Sequence, residues 1–184
     1  CRQSPGHNAT TKGNPMQVPS KKICKKAEDK LLKPRGVKIR NHRSWFNRKK
    51  KNYARTLILE SGFKELASRF DDLFMFINYR NKPMILVPGK IWKGKLTKRR
   101  RAQILATFAH EMTHWKQCGD NWITFYVKYL GNDDKRAAYE LDAECAGADV
   151  HHALGFGNRN AAIVVFDDAW CELYHLDTAQ ASYA

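Results

Sequence analysis

Two histidines and a glutamate in the segment His110-Glu111-Met112-Thr113-His114 have the types and the spacing that metal-dependent hydrolysis requires. Side chains four residues apart on a helix lie one above the other, so the imidazoles of His110 and His114 can bind one ion. Glu111 points to the side of that axis, where its carboxylate can hold a water without binding the metal. The pattern therefore predicts a zinc site with His110 and His114 as ligands and Glu111 as the general base.

The surrounding sequence predicts that the motif lies on a helix and that a third ligand follows it. Apolar residues recur at helical spacing between residues 96 and 117, namely Ile104, Leu105, Phe108, Ala109, Met112 and Trp115. A catalytic zinc site usually has three protein ligands. The next segment rich in acids, residues 139–144, belongs to a second predicted helix over 134–154. Spacing leaves the third ligand open among Glu140, Asp142, the histidines at 151 and 152, and Cys118, which stands four residues after His114.

The combination of His-Glu-x-x-His with Glu-x-x-Ala-Glu some 26 residues later resembles the gluzincin zinc peptidases. It is most similar to their small intracellular, minigluzincin-like members, whose second helix carries Glu-x-x-Ala-Asp. The resemblance covers residues 84–156 and implies that His110, His114 and Glu140 bind Zn²⁺ while Glu111 is the base. It also implies that Glu144 accepts the ring N–H of a ligand histidine, although Glu144 stands where the family has the shorter Asp.

A donor for the tetrahedral oxyanion completes the expected catalytic set. His151 stands eleven residues after Glu140, about three helical turns, and therefore lies on the same helical face. We regard His151 as the first candidate, ahead of His152, Tyr139 and His175. A structural role for the histidines at 151 and 152 is the alternative.

The remaining elements predict a small α+β domain. The apolar run 83–88 is bounded by prolines, which favours an edge strand, and residues 72–79 are its expected partner. Residues 121–130 and 161–176 are expected to pack as further elements. The resemblance adds a zincin-like arrangement, in which a small mixed sheet packs on the HExxH helix, a second helix carries the glutamate ligand, and the edge strand borders the substrate cleft.

Positive charge is concentrated at the start of the chain. Residues 1–52 hold 16 Lys/Arg and 2 acids, whereas residues 53–184 are close to neutral, at net +1. Prolines, glycines and few apolar residues predict that 1–52 is a largely extended or disordered basic arm, followed by a metallopeptidase domain over 53–184. Such an arm is typical of nucleic-acid or other polyanion binding. The alternatives are a solubilising tail and an arm that contacts an acidic protein surface.

Two groups of cations carry the polyanion prediction. One group lies in the N-terminal arm, and the other stands at the start of the motif helix. Each cation at the start of a helix opposes the helix macrodipole by about 0.3–1 kcal/mol. A locally unfavourable placement of this kind is typical of a functional surface. The residues are Lys21, Lys22, Lys25, Lys26, Arg48, Lys49, Lys50 and Lys51 in the arm, and Arg99, Arg100 and Arg101 before the motif.

These features lead to one functional hypothesis and one rival. The hypothesis is a zinc-dependent endopeptidase, acting on protein or peptide substrates, that a basic arm tethers to nucleic acid or a nucleic-acid-rich assembly. The rival is a non-catalytic nucleic-acid-binding or virion-type structural protein with a structural metal site. Five cysteines without framework spacing are expected to be buried thiols, and no apolar run reaches the length of a transmembrane segment. We therefore expect an intracellular protein, cytoplasmic or nucleoid- or virion-associated, while the N-terminal Cys1 leaves a lipid-anchored secreted form open.

Overall fold

The computed structural model describes residues 18–32, 36–41, 74–79, 82–88 and 94–157, with residues 60, 64, 68, 91, 171 and 174. For residues 27–32, 41 and 79 it describes the backbone alone. The helices in these ranges are α1 (Lys21–Leu32), α2 (Lys98–Cys118), α3 (Trp122–Gly131) and α4 (Asp133–Ala153). The strands are β1 (Lys38–Asn41), β2 (Met75–Tyr79) and β3 (Lys82–Val87). The described part of the chain is thus α+β with a small mixed sheet, as predicted.

Strand β3 lies in the centre of the sheet, so the prediction of an edge strand is wrong. The order is β1-β3-β2, with β1 parallel and β2 antiparallel to β3. Pro83 is the second residue of β3, and the pairing with β1 begins only at Met84, opposite Lys38. Because Pro88 follows the last residue of the strand, residues 84–87 keep their N–H groups for both neighbours. These four residues are buried, as a central strand requires.

Helices α2 and α4 pack together and carry the motif residues. Thr97 begins α2 by accepting a hydrogen bond from the backbone N–H of Arg100 (3.1 Å), and Gly119 ends it at a φ of 52°. Asn121 and Asn132 cap α3 and α4 in the same way as Thr97. The sheet, α2 and α3 enclose one apolar core, formed by Val37, Phe76, Ile85, Val87, Ile104, Phe108, Cys118 and Phe125.

The basic N-terminal segment contains two regular elements, the helix α1 and the strand β1. Helix α1 buries Cys24 completely, and β1 joins the sheet beside the buried Val37. A few apolar side chains suffice here because the rest of the domain supplies the surface on which they pack. Residues 1–17 and 42–59, with Arg48–Lys51, lie outside the described residues. The boundary at 52/53 therefore stays a prediction.

The remaining expectations concern the state of the cysteines, the element over 161–176 and a membrane-spanning helix. Cys24 and Cys118 are buried free thiols and Cys171 is buried, but Cys145 is disulfide-bonded, contrary to the expectation for that residue. Of the helix expected over 161–176, only residues 171 and 174 are described. Among the described residues, no helix combines the length and the apolar character needed to traverse a bilayer.

Candidate metal centre

Three buried side chains from two helices converge on one point. His110 and His114 face α4 from one side of α2, and Glu140 of α4 reaches between them with 1% of its surface exposed. The Nε2 atoms of the two histidines lie 3.1 Å apart. Glu140 Oε2 is 3.4 Å from His110 Nε2, and its Oε1 is 3.2 Å from His114 Nε2. Among the described residues, His110, His114 and Glu140 form the group of His, Cys, Asp or Glu side chains that lie close enough to share a metal ion.

The outer nitrogens of both imidazoles have oxygen partners. Gln117 Oε1 lies 2.9 Å from His114 Nδ1, and Glu144 Oε1 lies 3.4 Å from His110 Nδ1. The predicted position of Glu144 beside a ligand histidine is therefore present. Gln117 adds the equivalent contact for the other ring, and its own amide Nε2 donates to the carbonyl of Tyr139 (2.9 Å). Both oxygens favour a proton on Nδ1, which leaves the Nε2 lone pairs directed at the centre.

The arrangement of these ligand atoms suits a bound cation. Two imidazole nitrogens and a carboxylate meet with acceptor atoms 3.1–3.4 Å apart, and Glu140 Oε2 is buried without a hydrogen-bond partner. Zinc binds His nitrogen and carboxylate oxygen at about 2.0–2.2 Å, so the ligand atoms of a tetrahedral site are about 3.3 Å apart. The donor set and its spacing therefore fit zinc, with His110, His114 and Glu140 as the residues that would hold it.

The protonation behaviour of the cluster agrees with a site for positive charge. Burial alone would lower the pKa of His110, but the neighbouring Glu140, Glu111 and Glu144 raise it to about 9. Burial would raise the pKa of Glu140, but His114 and His110 outweigh burial, so this pKa is lowered. The carboxylate therefore stays ionised, and positive charge is favoured on the imidazoles that face it.

Tyr129 contacts Glu140 directly, and Arg136 holds the helix that carries Glu140. The hydroxyl of Tyr129 donates to Glu140 Oε1 at 2.5 Å, and its ring packs edge-on against His114 with centroids 6.1 Å apart. Burial, followed by the charge of Glu140, raises the pKa of Tyr129 well above its usual value, so this hydroxyl keeps its proton. Arg136, one turn before Glu140, donates to the carbonyls of Tyr174 (2.6 Å) and Tyr129 (3.0 Å). It also pairs with Asp133 at 2.6 Å, so one buried guanidinium ties the start of α4 to α3 and to Tyr174.

Glu111 is buried beside the cluster and faces the sheet. Burial raises the pKa of its carboxyl, against the opposing effect of His110 and His114. The backbone of Phe76 in β2 hydrogen-bonds to it. The next outward N–H of this edge strand, on Asn78, donates to the hydroxyl of Tyr126 (3.2 Å). The edge strand nearest the motif is therefore β2, and its amides hold groups of α2 and α3.

The alternative ligands lie apart from the cluster. Asp142 and His152 are exposed on α4, and the buried thiol of Cys118 accepts from Asn78 Nδ2 at 3.4 Å. His151 stands about 16 Å along α4 from Glu140, by the rise of 1.5 Å per residue. Its ring stacks on Phe156 with centroids 5.7 Å apart. The structure thus places His151 away from the three ligands, because a shared helical face does not bring residues three turns apart into contact.

The predicted cations that the structure describes lie on α1 and in the first turn of α2. Lys21 and Arg101 have backbone acceptors in the segment before this helix, whereas Lys22, Lys25, Lys26, Arg99 and Arg100 are exposed. Arg99 is near the end of α4, where it contributes, after burial, to a lowered pKa of His151. None of these residues contacts the metal-ligating cluster.

Sequence reasoning missed the residues that support the ligands. Gln117 stands three residues after His114, a helical spacing that could have indicated the contact. Tyr129 and Arg136 carry no comparable signal, because their contacts depend on how α3 packs against α4. Comparison with protein families, with curated proteins and with solved structures gives no match to this chain.

Proposed function

We propose that this chain is a zinc-dependent endopeptidase of the gluzincin type. The single observation that carries the proposal is the buried convergence of two His Nε2 atoms and the Glu140 carboxylate at 3.1–3.4 Å, with Glu111 beside them. The resemblance of the HExxH and Glu-x-x-Ala-Glu segments to gluzincins supports the same reaction class. Three protein ligands leave one coordination position for water or substrate, which is typical of catalytic zinc.

The residues divide the chemistry among them. Zinc held in this site supplies Lewis acidity, which lowers the pKa of water from about 15.7 to about 7. The Glu111 carboxylate accepts a proton from the attacking water and returns it to the nitrogen of the broken amide bond. Glu144 and Gln117 keep the imidazoles oriented, and Tyr129 orients Glu140. The resemblance implied that β3 borders the cleft and pairs with substrate. Both edges of β3 are occupied by neighbouring strands, so no such role is proposed for it.

Replacing Glu111 by Gln tests the proposal directly. The zinc-loaded Glu111→Gln variant should keep one zinc ion per chain, measured by elemental analysis, because Glu111 is not a ligand. Its cleavage of a complex peptide mixture, followed by mass spectrometry, should fall by about 10²–10⁴-fold. Glu60→Gln is the matched control, since Glu60 is exposed, and should cleave at the wild-type rate. Cleavage by Glu111→Gln at the wild-type rate would overturn the assignment.

One observation favours the rival, a non-catalytic protein whose metal braces the fold. The hydrogen bond between the Glu111 carboxyl and the backbone of Phe76 ties α2 to the sheet, which is a structural use for this side chain. In that case wild type and Glu111→Gln would both bind zinc and neither would cleave peptides. Glu111→Gln would instead lower the midpoint of thermal unfolding relative to Glu60→Gln.

We also propose a polyanionic partner, and nucleic acid in particular. The support is the charge of residues 1–52, net +14, and the exposed cations of α1 and of the first turn of α2. Deleting residues 1–52 also removes α1 and β1, so surface substitutions are the better test of this partner.

A further inference from the structure

Two basic clusters, within residues 21–26 and 95–101, are far apart in the chain and meet in the fold, where Lys21 and Gly94 are 73 residues apart in sequence. Lys21 at the start of α1 donates from Nζ to the carbonyl of Gly94 at 3.0 Å. Arg101 in the first turn of α2 donates from Nη1 to the carbonyl of Leu96 at 2.9 Å. Cys24 of α1 is fully buried, which raises the pKa of its thiol, and the nearby charge of Arg101 opposes that rise. Lys21 and Arg101 therefore hold the segment 94–97 and join α1 to the beginning of α2.

The remaining cations of both clusters point to solvent. Neither helix has an acid in its first turn, and none of these cations forms an ion pair with a carboxylate of the described residues. A basic surface of seven exposed side chains results, which we call the α1/α2 surface: Lys22, Lys25, Lys26, Lys95, Lys98, Arg99 and Arg100.

We infer that the α1/α2 surface is a single docking site for the phosphate backbone of nucleic acid. The inference rests on the polyanionic partner proposed above and is independent of the peptidase activity. Two helices begin at this surface, so backbone N–H groups and the positive ends of two helix dipoles add to the side-chain charges. A phosphate array would relieve the repulsion among these cations.

The composition of the surface favours phosphate over an acidic protein. Protein interfaces depend on buried aromatic and apolar anchors with a polar rim. Among the described residues, Ile23 is the large apolar side chain exposed at the α1/α2 surface, with 55% of its surface accessible. The other large apolar side chains that are exposed among these residues lie on α3. Phosphate contacts need only cations and backbone amides, and they carry no base specificity. The site is therefore expected to bind duplexes of different sequence alike.

The surface is separate from the metal centre. Arg99 stands eleven residues before His110, about 16 Å along α2. Substitutions at the surface should therefore leave zinc content and peptide cleavage unchanged. Measurements of zinc content and peptide cleavage on the same variants therefore distinguish a loss of duplex binding from a failure of the peptidase proposal.

Salt dependence of duplex binding tests the inference in the full-length, zinc-loaded chain. The α1 variant is Lys22→Gln/Lys25→Gln/Lys26→Gln, and the α2 variant is Lys98→Gln/Arg99→Gln/Arg100→Gln; both keep Lys21 and Arg101. Affinity for a fluorescent 20-base-pair DNA duplex is measured by anisotropy over a range of KCl concentrations. Each phosphate contact contributes about −0.9 to the slope of log K against log salt. Each variant should reduce the slope by about 2–3, and their combination should reduce it further.

A matched control and two further outcomes make the inference falsifiable. The control variant, Lys116→Gln/Lys128→Gln/Lys135→Gln, removes three exposed cations away from the surface and should keep the wild-type slope. A control slope reduced as much as the others would overturn the inference, because general charge would then explain binding. The inference of one docking site would also fail if binding had two steps and the α1 and α2 variants each abolished a different one. It would fail as well if both variants kept the wild-type slope. Loss of binding to vesicles with acidic lipids, with duplex binding unchanged, would likewise overturn it.

Discussion

Gln117 selects the tautomer that the neutral ring of His114 adopts. Its amide nitrogen donates to the carbonyl of Tyr139 at 2.9 Å, and a carbonyl can only accept, so the orientation of the amide is determined. The amide oxygen must then face His114 Nδ1, also at 2.9 Å, and this nitrogen must carry a proton. The Nε2 atom of the neutral ring is left with its lone pair toward Glu140, which is the tautomer that binds a metal.

Replacing Gln117 by Leu should weaken zinc binding without unfolding the chain. Loss of a partner that orients a ligand histidine typically costs 10–100-fold in metal affinity. Competition with a chromophoric chelator at fixed pH would measure the change. Gln103→Leu, at an exposed position of the same helix, is the matched control and should bind as wild type does. Equal affinities for the two variants would show that Gln117 does not orient His114.

The hydroxyl of Tyr129 should stabilise Glu140 even in the absence of metal. A hydrogen bond to a charged group contributes about 1.5–3 kcal/mol, so Tyr129→Phe should lower the free energy of unfolding by roughly that amount. Urea denaturation of the metal-free chain measures it. A double-mutant cycle with Glu140→Gln isolates the pair and should give a coupling energy of at least about 1 kcal/mol. Strict additivity of the two substitutions would contradict the prediction.

The motif and its helix could be predicted from sequence because they depend on local spacing. The helix expected over 96–117 is found at Lys98–Cys118, and the segment holding Glu140 is found at Asp133–Ala153. Glu144, at helical spacing from Glu140, lies beside His110 as the resemblance implied. The helices and the spacing of Glu144 from Glu140 are local, whereas the contact between Glu144 and His110 was implied only by the resemblance.

Relationships that depend on tertiary packing were not predictable in the same way. The prolines at 83 and 88 indicated an edge strand, but the pairing of β1 with residues 84–87 lies between them. Helix α1 is a sequence rich in lysine whose order depends on burying Cys24 against the domain. The spacing of His151 predicted a helical face shared with Glu140, but a helix rises about 1.5 Å per residue, so eleven residues keep the two side chains apart along the axis.

Arg136 should be a major source of stability beneath the metal centre. Arg136→Met would leave the carbonyls of Tyr129 and Tyr174 without this donor, which should cost at least about 2 kcal/mol in urea denaturation. Arg136→Lys should recover little, because an ammonium cannot serve three acceptors in the planar arrangement of a guanidinium. Asp133→Asn should cost less than about 1 kcal/mol, since Asp133 is 48% exposed. Equal losses for Asp133→Asn and Arg136→Met would contradict this order.

The contact of Gly147 with α2 should limit the approach of the two helices that carry His110, His114 and Glu140. A Cβ at residue 147 would lie 3.2 Å from the carbonyl oxygen of Ala106, whereas one at Gly131 would meet nothing within 4 Å. Alanine is favoured over glycine by up to about 1 kcal/mol within a helix, so Gly131→Ala should stabilise the chain. Gly147→Ala should raise the free energy of unfolding less than Gly131→Ala does. The Ala106 carbonyl belongs to the backbone of α2 and can move away from the new Cβ only with the helix.

A larger residue at position 147 extends the same argument to the metal centre. Gly147→Leu should separate α4 from α2 near His110, whose Cβ would be 3.8 Å from a Cβ at residue 147. Overpacking of this kind typically costs about 1–3 kcal/mol, and here it should also weaken zinc binding because Glu140 and Glu144 move with α4. Urea denaturation and chelator competition on the same samples measure the two effects. A Gly147→Leu variant that binds zinc as tightly as Gly131→Ala would show that this contact does not set the position of Glu140.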